Sequence, residues 1–219
     1  MGPKERRERE REEIRTLILD AARELFASDG VEAVTMRRIA EKIEYSPTAI
    51  YFHFKDKEAL LKELCEHDFR VFAQQFAQLM VIPDPIERLR RAGHAYVNFG
   101  FHNRSHYRLM FMTPKFDEHA DPVSAGQGNP AEDAYAFLKS LVTEAVTQGK
   151  FKPELTDPEL ISQVIWAGVH GVISLEIAKC RDAWVDWRPI EARTHLMIDV
   201  LIAGLVGSGQ WAVGRGAAE

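Results

Sequence analysis

Between residues 35 and 57 the chain reads TMRRIAEKIEYSPTAIYFHFKDK, and its side chains are of the kinds that meet a nucleic acid. Arg37 suits a bidentate pair with a guanine edge. Thr48 and Ala49 are small enough to approach base edges or a thymine methyl group, whereas Tyr51, His53, Lys55 and Lys57 can give hydrogen bonds or charge to phosphates. This window holds five basic residues against three acidic ones, in a chain of net charge −5. Residues 1–57 carry 12 basic and 12 acidic side chains, so residues 58–219, with 16 and 21, hold the whole excess. That balance excludes a protein coated by DNA over its full surface and fits a small reading head with a few placed phosphate contacts.

Such contacts require rigid elements to aim them. Thr35 is placed to cap a short helix whose apolar face is Ile39, Ala40 and Ile43. Ser46 followed by Pro47 starts a second helix, because Ser caps and Pro, with no N–H to lose, is pre-set for the first helical position. Ile43, Glu44 and Tyr45 lie between the two, the spacing of a helix-turn-helix whose second helix enters the major groove. Ile50 and Phe54, four apart, face inward, and Ala40 lets the two backbones approach.

This block resembles the DNA-binding segment of the TetR family of transcriptional regulators, with its T-x-R-x-[IL]-A helix, a turn, and S/T-x-x-x-[IL]-Y-x-H-F-x-x-K. Thr35, Arg37, Ile39, Ala40, Ser46, Ile50, Tyr51, His53, Phe54, Lys57 and Leu60 carry the match. The resemblance implies an all-α fold, a three-helix helix-turn-helix domain followed by a helical ligand-binding and dimerisation domain, and double-stranded operator DNA as partner. The DNA-contacting set is then Thr35, Arg37, Ser46, Pro47, Thr48, Ala49, Tyr51, His53, Lys55 and Lys57. One residue departs: the family usually has Gly in the turn, where this chain has Glu44. If positive φ is kept there, Glu44 costs about 1 kcal/mol or more and brings a negative charge near DNA.

The remaining elements are helical. Leu17, Ile18, Ala21, Ala22, Leu25 and Phe26 step by three and four along a first helix from Ile14, which Ser28, Asp29 and Gly30 end. Asp56 caps a fourth helix that runs to about Met80 before Pro83. Further helices follow at about residues 86–101, 105–112, 130–148, 158–179 and 189–206, for about nine in all, with domains 1–57 and 58–219. Residues 113–129, rich in Pro, Asp and Gly, read as a mobile loop and a candidate gate, and the tail after Gly207 reads as frayed. The opening MGPKERREREREEIR lacks an apolar core and is not a signal peptide; its alternating Arg and Glu form helical pairs, and Lys4, Arg6 and Arg7 are candidates for a flexible DNA-touching arm. Cys65 and Cys180 match no metal or disulfide spacing, which predicts a reduced, cytoplasmic location. Residues 160–178 approach membrane-span length, but Gln163, His170 and Glu176 interrupt them, so a buried helix is expected and no membrane association.

In the body, the last two helices are apolar over more of their circumference than one contact needs. Ile161, Val164, Ile165, Val169, Val172 and Ile173 lie on one, and Leu196, Met197, Val200, Leu201, Leu205 and Val206 on the other. A two-fold homodimer through these helices is expected, since one short recognition helix reads too few base pairs to be specific. Trp166, His170 and Gly171, with upstream Tyr107 to Phe111, resemble the C-terminal type of the family named for its Trp, His and Gly. A small apolar or amphipathic effector is expected against Trp166 and His170, with Phe101, Tyr107, Met110 and Phe111 as lining. Ordinary core packing is the alternative for each. His94, His102 and His106 share a face only loosely and lack the spacing of a metal site, and no catalytic motif, cofactor or metal is expected. The expectation is a dimeric ligand-responsive regulator, repressor rather than activator, binding a palindromic operator. A helical enzyme or metal-binding protein, or an adaptor using the helix-turn-helix for protein contacts, are the alternatives.

Overall fold

In the computed structural model, which describes residues 2–112 and 128–207, the described secondary structure is helical apart from one isolated bridge pairing Phe151 with Val206. Nine α-helices run in order among the described residues: α1 (Pro3–Asp29), α2 (Met36–Lys42), α3 (Pro47–His53), α4 (Lys57–Ala77), α5 (Pro85–His102), α6 (Arg104–Phe111), α7 (Ala134–Thr147), α8 (Pro158–Lys179) and α9 (Ile190–Leu205). The helical count and class match the sequence expectation. α1 starts about three turns earlier than Ile14, because Arg6–Glu10 and Arg9–Glu13 pairs at i,i+4 support the Arg/Glu run as helix. α4 stops at Ala77 and tightens into a 3-10 turn over Gln78–Val81. α7 starts at Ala134, not near 130, because Asp133 caps it, its Oδ1 accepting from the N–H groups of Tyr135 and Ala136. Residues 113–127, within the expected mobile loop, and the tail from 208 lie outside the described residues.

The chain forms two compact units. The first holds α1, α2, α3, α4 as far as Phe69, and α6. Its core is Ile18, Ala22, Leu25, Phe26, Val34, Ile39, Ala40, Ile50, Phe54, Leu60 and Leu64, to which Leu109 of α6 adds itself. Each fully buried aliphatic side chain here contributes about 1.5–3 kcal/mol. Two ion centres tie the helices together. Arg15 of α1 pairs with Glu63 of α4, gives a hydrogen bond to the His53 carbonyl at 3.1 Å, and stacks over the Phe54 ring at 4.5 Å. Asp68 of α4, 1% exposed, accepts from Arg23 of α1 at 2.9 Å and lies 3.1 Å from His106 of α6.

The second unit holds α4 from Arg70 onward, α5, α7, α8 and α9. α5 packs against α7, α8 and α9, and α8 against α7 and α9. Gly168 permits the closest approach: a Cβ there would lie 2.8 Å from Leu201 and 3.2 Å from Met197. Arg88 of α5, almost fully buried, reaches Glu144 of α7 at 2.5 Å, and Arg193 of α9 pairs with Glu176 of α8. α8 is long and apolar enough to cross a membrane by length and composition; here Ile161, Ile165, Val169, Val172 and Ile173 are buried among its neighbours.

Candidate nucleic-acid interface and ligand site

The two short helices begin where the sequence expects. The Thr35 hydroxyl accepts from the Arg38 N–H and the Ser46 hydroxyl from the Ala49 N–H, both at 3.2 Å, and Pro47 occupies the first helical position of α3. α2 ends in a Schellman turn: the Tyr45 N–H donates to the Ala40 carbonyl at 2.9 Å and the Glu44 N–H to the Glu41 carbonyl at 3.2 Å. That motif needs a left-handed residue after the helix, and Glu44 supplies it at φ 60°, the only non-glycine positive φ among the described residues. The turn therefore keeps the geometry a glycine would give, with a side chain in its place.

On α3 Ile50 is fully buried, and Phe54, the residue that caps its end, is 3% exposed, so the opposite face is fixed outward. Pro47, Thr48 and Tyr51 are exposed and Ala49 is half-buried; Thr35, Arg37 and Ser46 are exposed on the preceding segment. Arg37 rests against Glu41 at 2.9 Å on the surface, a contact weak enough to exchange for a base or phosphate. Lys55 is exposed, whereas Lys57 is half-buried and donates to the Val31 carbonyl at 3.1 Å. His53 is half-buried, its Nδ1 unpartnered, and burial followed by the charges of Arg11 and Arg15 lowers its pKa, so it offers hydrogen bonding rather than charge. The sequence reading missed Phe52, 72% exposed beside Tyr51, and Arg11, whose guanidinium lies 5.5 Å from the Phe52 ring centre. It also missed Arg15, which braces the end of α3.

In the second unit Trp166 and His170 meet at a residue the sequence reading did not single out. The Trp166 Nε1–H donates to the Tyr96 hydroxyl at 2.9 Å, and that hydroxyl lies 3.2 Å from His170 Nδ1. Burial lowers the His170 pKa, which favours a neutral imidazole beside the Tyr96 hydroxyl. Tyr96 also packs edge-on against Phe72, which contacts Phe76 and Phe99, and Phe76 stacks on Phe137. The result is one polar relay at the rim of an aromatic cluster. Tyr135 stands beside Trp166, ring centres 5.8 Å apart, and forms one wall of an open groove of about 680 Å³ lined also by Lys139, Ser140 and Glu159. Phe101 is half-buried on α5, and Tyr107, Met110 and Phe111 lie on α6 of the first unit, where Phe111 packs on Phe69. His94 faces His195, His102 binds the Asn98 carbonyl, and His106 turns to Asp68, so the three histidines go to separate partners.

Residues 18–64 match the family described as bacterial regulatory proteins, tetR family, and residues 89–201 match the tetracyclin repressor-like C-terminal domain. Among curated relatives, the transcriptional activator FasR of Mycolicibacterium smegmatis is 33% identical over 125 residues, 57% of this chain and 56% of that protein. The regulator UidR of Escherichia coli K12 is 41% identical over 54 residues, 25% of this chain and 28% of that protein. The chain thus spans about half the length, or less, of these relatives. In fold it is similar to the fatty acid degradation regulator FadR of Bacillus halodurans, with TM-score 0.68, 20% identity, and coverage of 92% and 96%. It is also similar to NalD, the secondary repressor of an efflux pump in Pseudomonas aeruginosa, with TM-score 0.70, 20% identity, and coverage of 90% and 99%. Those structural likenesses speak to fold, and the two family matches, one beginning within α1 and covering both reading helices, the other running from α5 to α9, settle the family: the chain belongs to the tetR family of bacterial regulatory proteins.

Proposed function

We propose that this protein is a transcriptional repressor that binds a palindromic operator as a homodimer and leaves it when a small apolar or amphipathic effector occupies the body. Residues 1–57 serve as the reader and residues 58–219 as the effector-binding and dimerisation domain, in the cytoplasm. The observation that carries the reading is α3 itself: its inward side is anchored by Ile50 and Phe54, and Pro47, Thr48 and Tyr51 are left exposed at the size and chemistry a major groove accepts. The Trp166–Tyr96–His170 relay supports an effector site on a body of the Trp-His-Gly type, because a single polar group at the edge of aromatic side chains suits an amphipathic ligand. The effector must bind the two states unequally for release to follow.

Selection of duplexes from a random-sequence pool tests the reader. We expect a two-fold symmetric sequence with half-sites about one helical turn apart. Thr48→Ala and Arg37→Ala are expected to change which bases are enriched, each by about 1–3 kcal/mol at the contacted position. Tyr51→Phe is expected to weaken all sequences alike. A pool that shows no enrichment would refute the proposal.

A further inference from the structure

The face of α1 that packs onto the reading motif does not end where the motif ends. Ile18 is buried in the first unit's core, and Arg15, three residues earlier, turns to Glu63, the His53 carbonyl and the Phe54 ring. Lys4, Arg7, Arg11 and Arg15 follow one another at spacings of three and four, so they lie on one stripe of the helix. Arg11 stacks over Phe52, the exposed ring that follows Tyr51 on the reading helix. Arg7 lies about 6 Å and Lys4 about 10 Å further along α1 at the helical rise, overhanging the end of the motif on the same side.

Pairing separates this stripe from the rest of the Arg/Glu run. Arg6 rests against Glu10 and Arg9 against Glu13 in exposed pairs off the stripe, and Arg15 is held by Glu63. Among the described residues no carboxylate lies within ion-pair distance of Lys4, Arg7 or Arg11, although all three are exposed. The sequence contains the cause for two of them: four residues after Arg6 and Arg9 stands a Glu, whereas four after Arg7 and Arg11 stands another Arg. An unneutralised cationic row beside a groove reader is the arrangement that recruits a phosphate backbone.

We propose that Lys4, Arg7 and Arg11 form a second DNA-contacting site, a rigid helical rail that binds backbone phosphates flanking the segment read by α3. Phe52 is its positioning residue, holding the Arg11 guanidinium beside the reading helix. The proposal rests on the reading of α3 as a groove binder. It replaces a flexible arm with a helix, so the phosphate pairs carry little ordering cost and are independent of base sequence.

The test uses the full chain and a labelled duplex of arbitrary sequence, with affinity followed across a KCl titration. Arg7→Ala/Arg11→Ala is expected to make the slope of log K against log salt shallower by about 0.9 for each phosphate that is no longer neutralised. Arg6→Ala/Arg9→Ala removes the same charge from positions off the stripe and is expected to leave the slope near that of the wild type. Arg7→Lys/Arg11→Lys should restore it. Equal slope changes in the two alanine pairs would reduce the effect to net charge and overturn the rail, as would an unchanged slope in Arg7→Ala/Arg11→Ala. A wild-type protein that binds no duplex at low salt would overturn the groove reading itself and the rail with it, so the two failures are distinct.

Discussion

Glu44 is the residue at which sequence and backbone are least at ease with each other. Its side chain forgoes nothing that the motif uses, since both Schellman hydrogen bonds run through the main chain. Its φ of 60° nevertheless places a Cβ where about 1–2 kcal/mol of steric cost is expected. Glu44→Gly removes that cost but adds freedom to the unfolded chain, so a net gain in stability of up to about 1 kcal/mol is expected. A urea midpoint that falls on this substitution would show that the Glu side chain stabilises the turn by some other route. The departure was legible in the sequence as a non-glycine at a glycine position. Whether the turn would bend to suit Glu was not, because only the neighbouring helices decide which conformation is held.

At the scale of elements, Asp68 is the point where α1, α4 and α6 are joined by charge. Burial alone would push its carboxyl up, but the hydrogen bonds from His106 and Arg23 and the charge of Arg23 outweigh it and hold the pKa below the usual carboxylate range. A depressed folded-state pKa means that the group stabilises the fold above its unfolded value of about 3.9 and that this contribution disappears as pH falls through the folded value. Asp68→Ala leaves the nearly buried Arg23 with Asp20, at 2.6 Å, as its carboxylate partner and is expected to cost about 1–3 kcal/mol at neutral pH. Urea unfolding across pH checks both parts: the wild type should lose stability below about pH 4, and the variant should lose less over that range. A cost within 0.5 kcal/mol of zero, the range of about ±0.5 kcal/mol expected of an ordinary surface change, would remove Asp68 from this role. The neighbouring Cys65 takes no part in acid–base chemistry at these pH values, since burial, with Asp68 and Glu66 nearby, pushes its thiol up to about 12.

For the whole molecule, the exposed apolar row on the last two helices bears on assembly. Leu160, Val164 and Leu175 on α8 are 59, 50 and 47% exposed, and Leu196 and Val200 on α9 are 66 and 59% exposed. These stripes lie opposite the buried sides of the same helices, as expected for helices that meet two neighbours. Leu196→Glu/Val200→Glu is expected to leave the helical content intact and convert a dimer to a monomer in sedimentation, with loss of high-affinity operator binding. A dimer that survives this pair would move the interface elsewhere.

By itself the sequence determined the helical class, the places where α2, α3 and α8 begin, and the inward side of α3. These follow from local chemistry: a hydroxyl or carboxylate at a cap, a proline at the first turn, apolar residues four apart. It also contained the uneven i,i+4 pairing along α1, which needs only helical geometry to be read. Tertiary structure alone decided that Tyr96 joins Trp166 to His170, that Asp68 unites three helices, that Lys57 turns to the Val31 carbonyl, and that α6 lends Leu109 to the first unit's core. Each of those contacts joins residues far apart in the chain, and which of many compatible partners meet is set by packing of the whole core rather than by any local pattern.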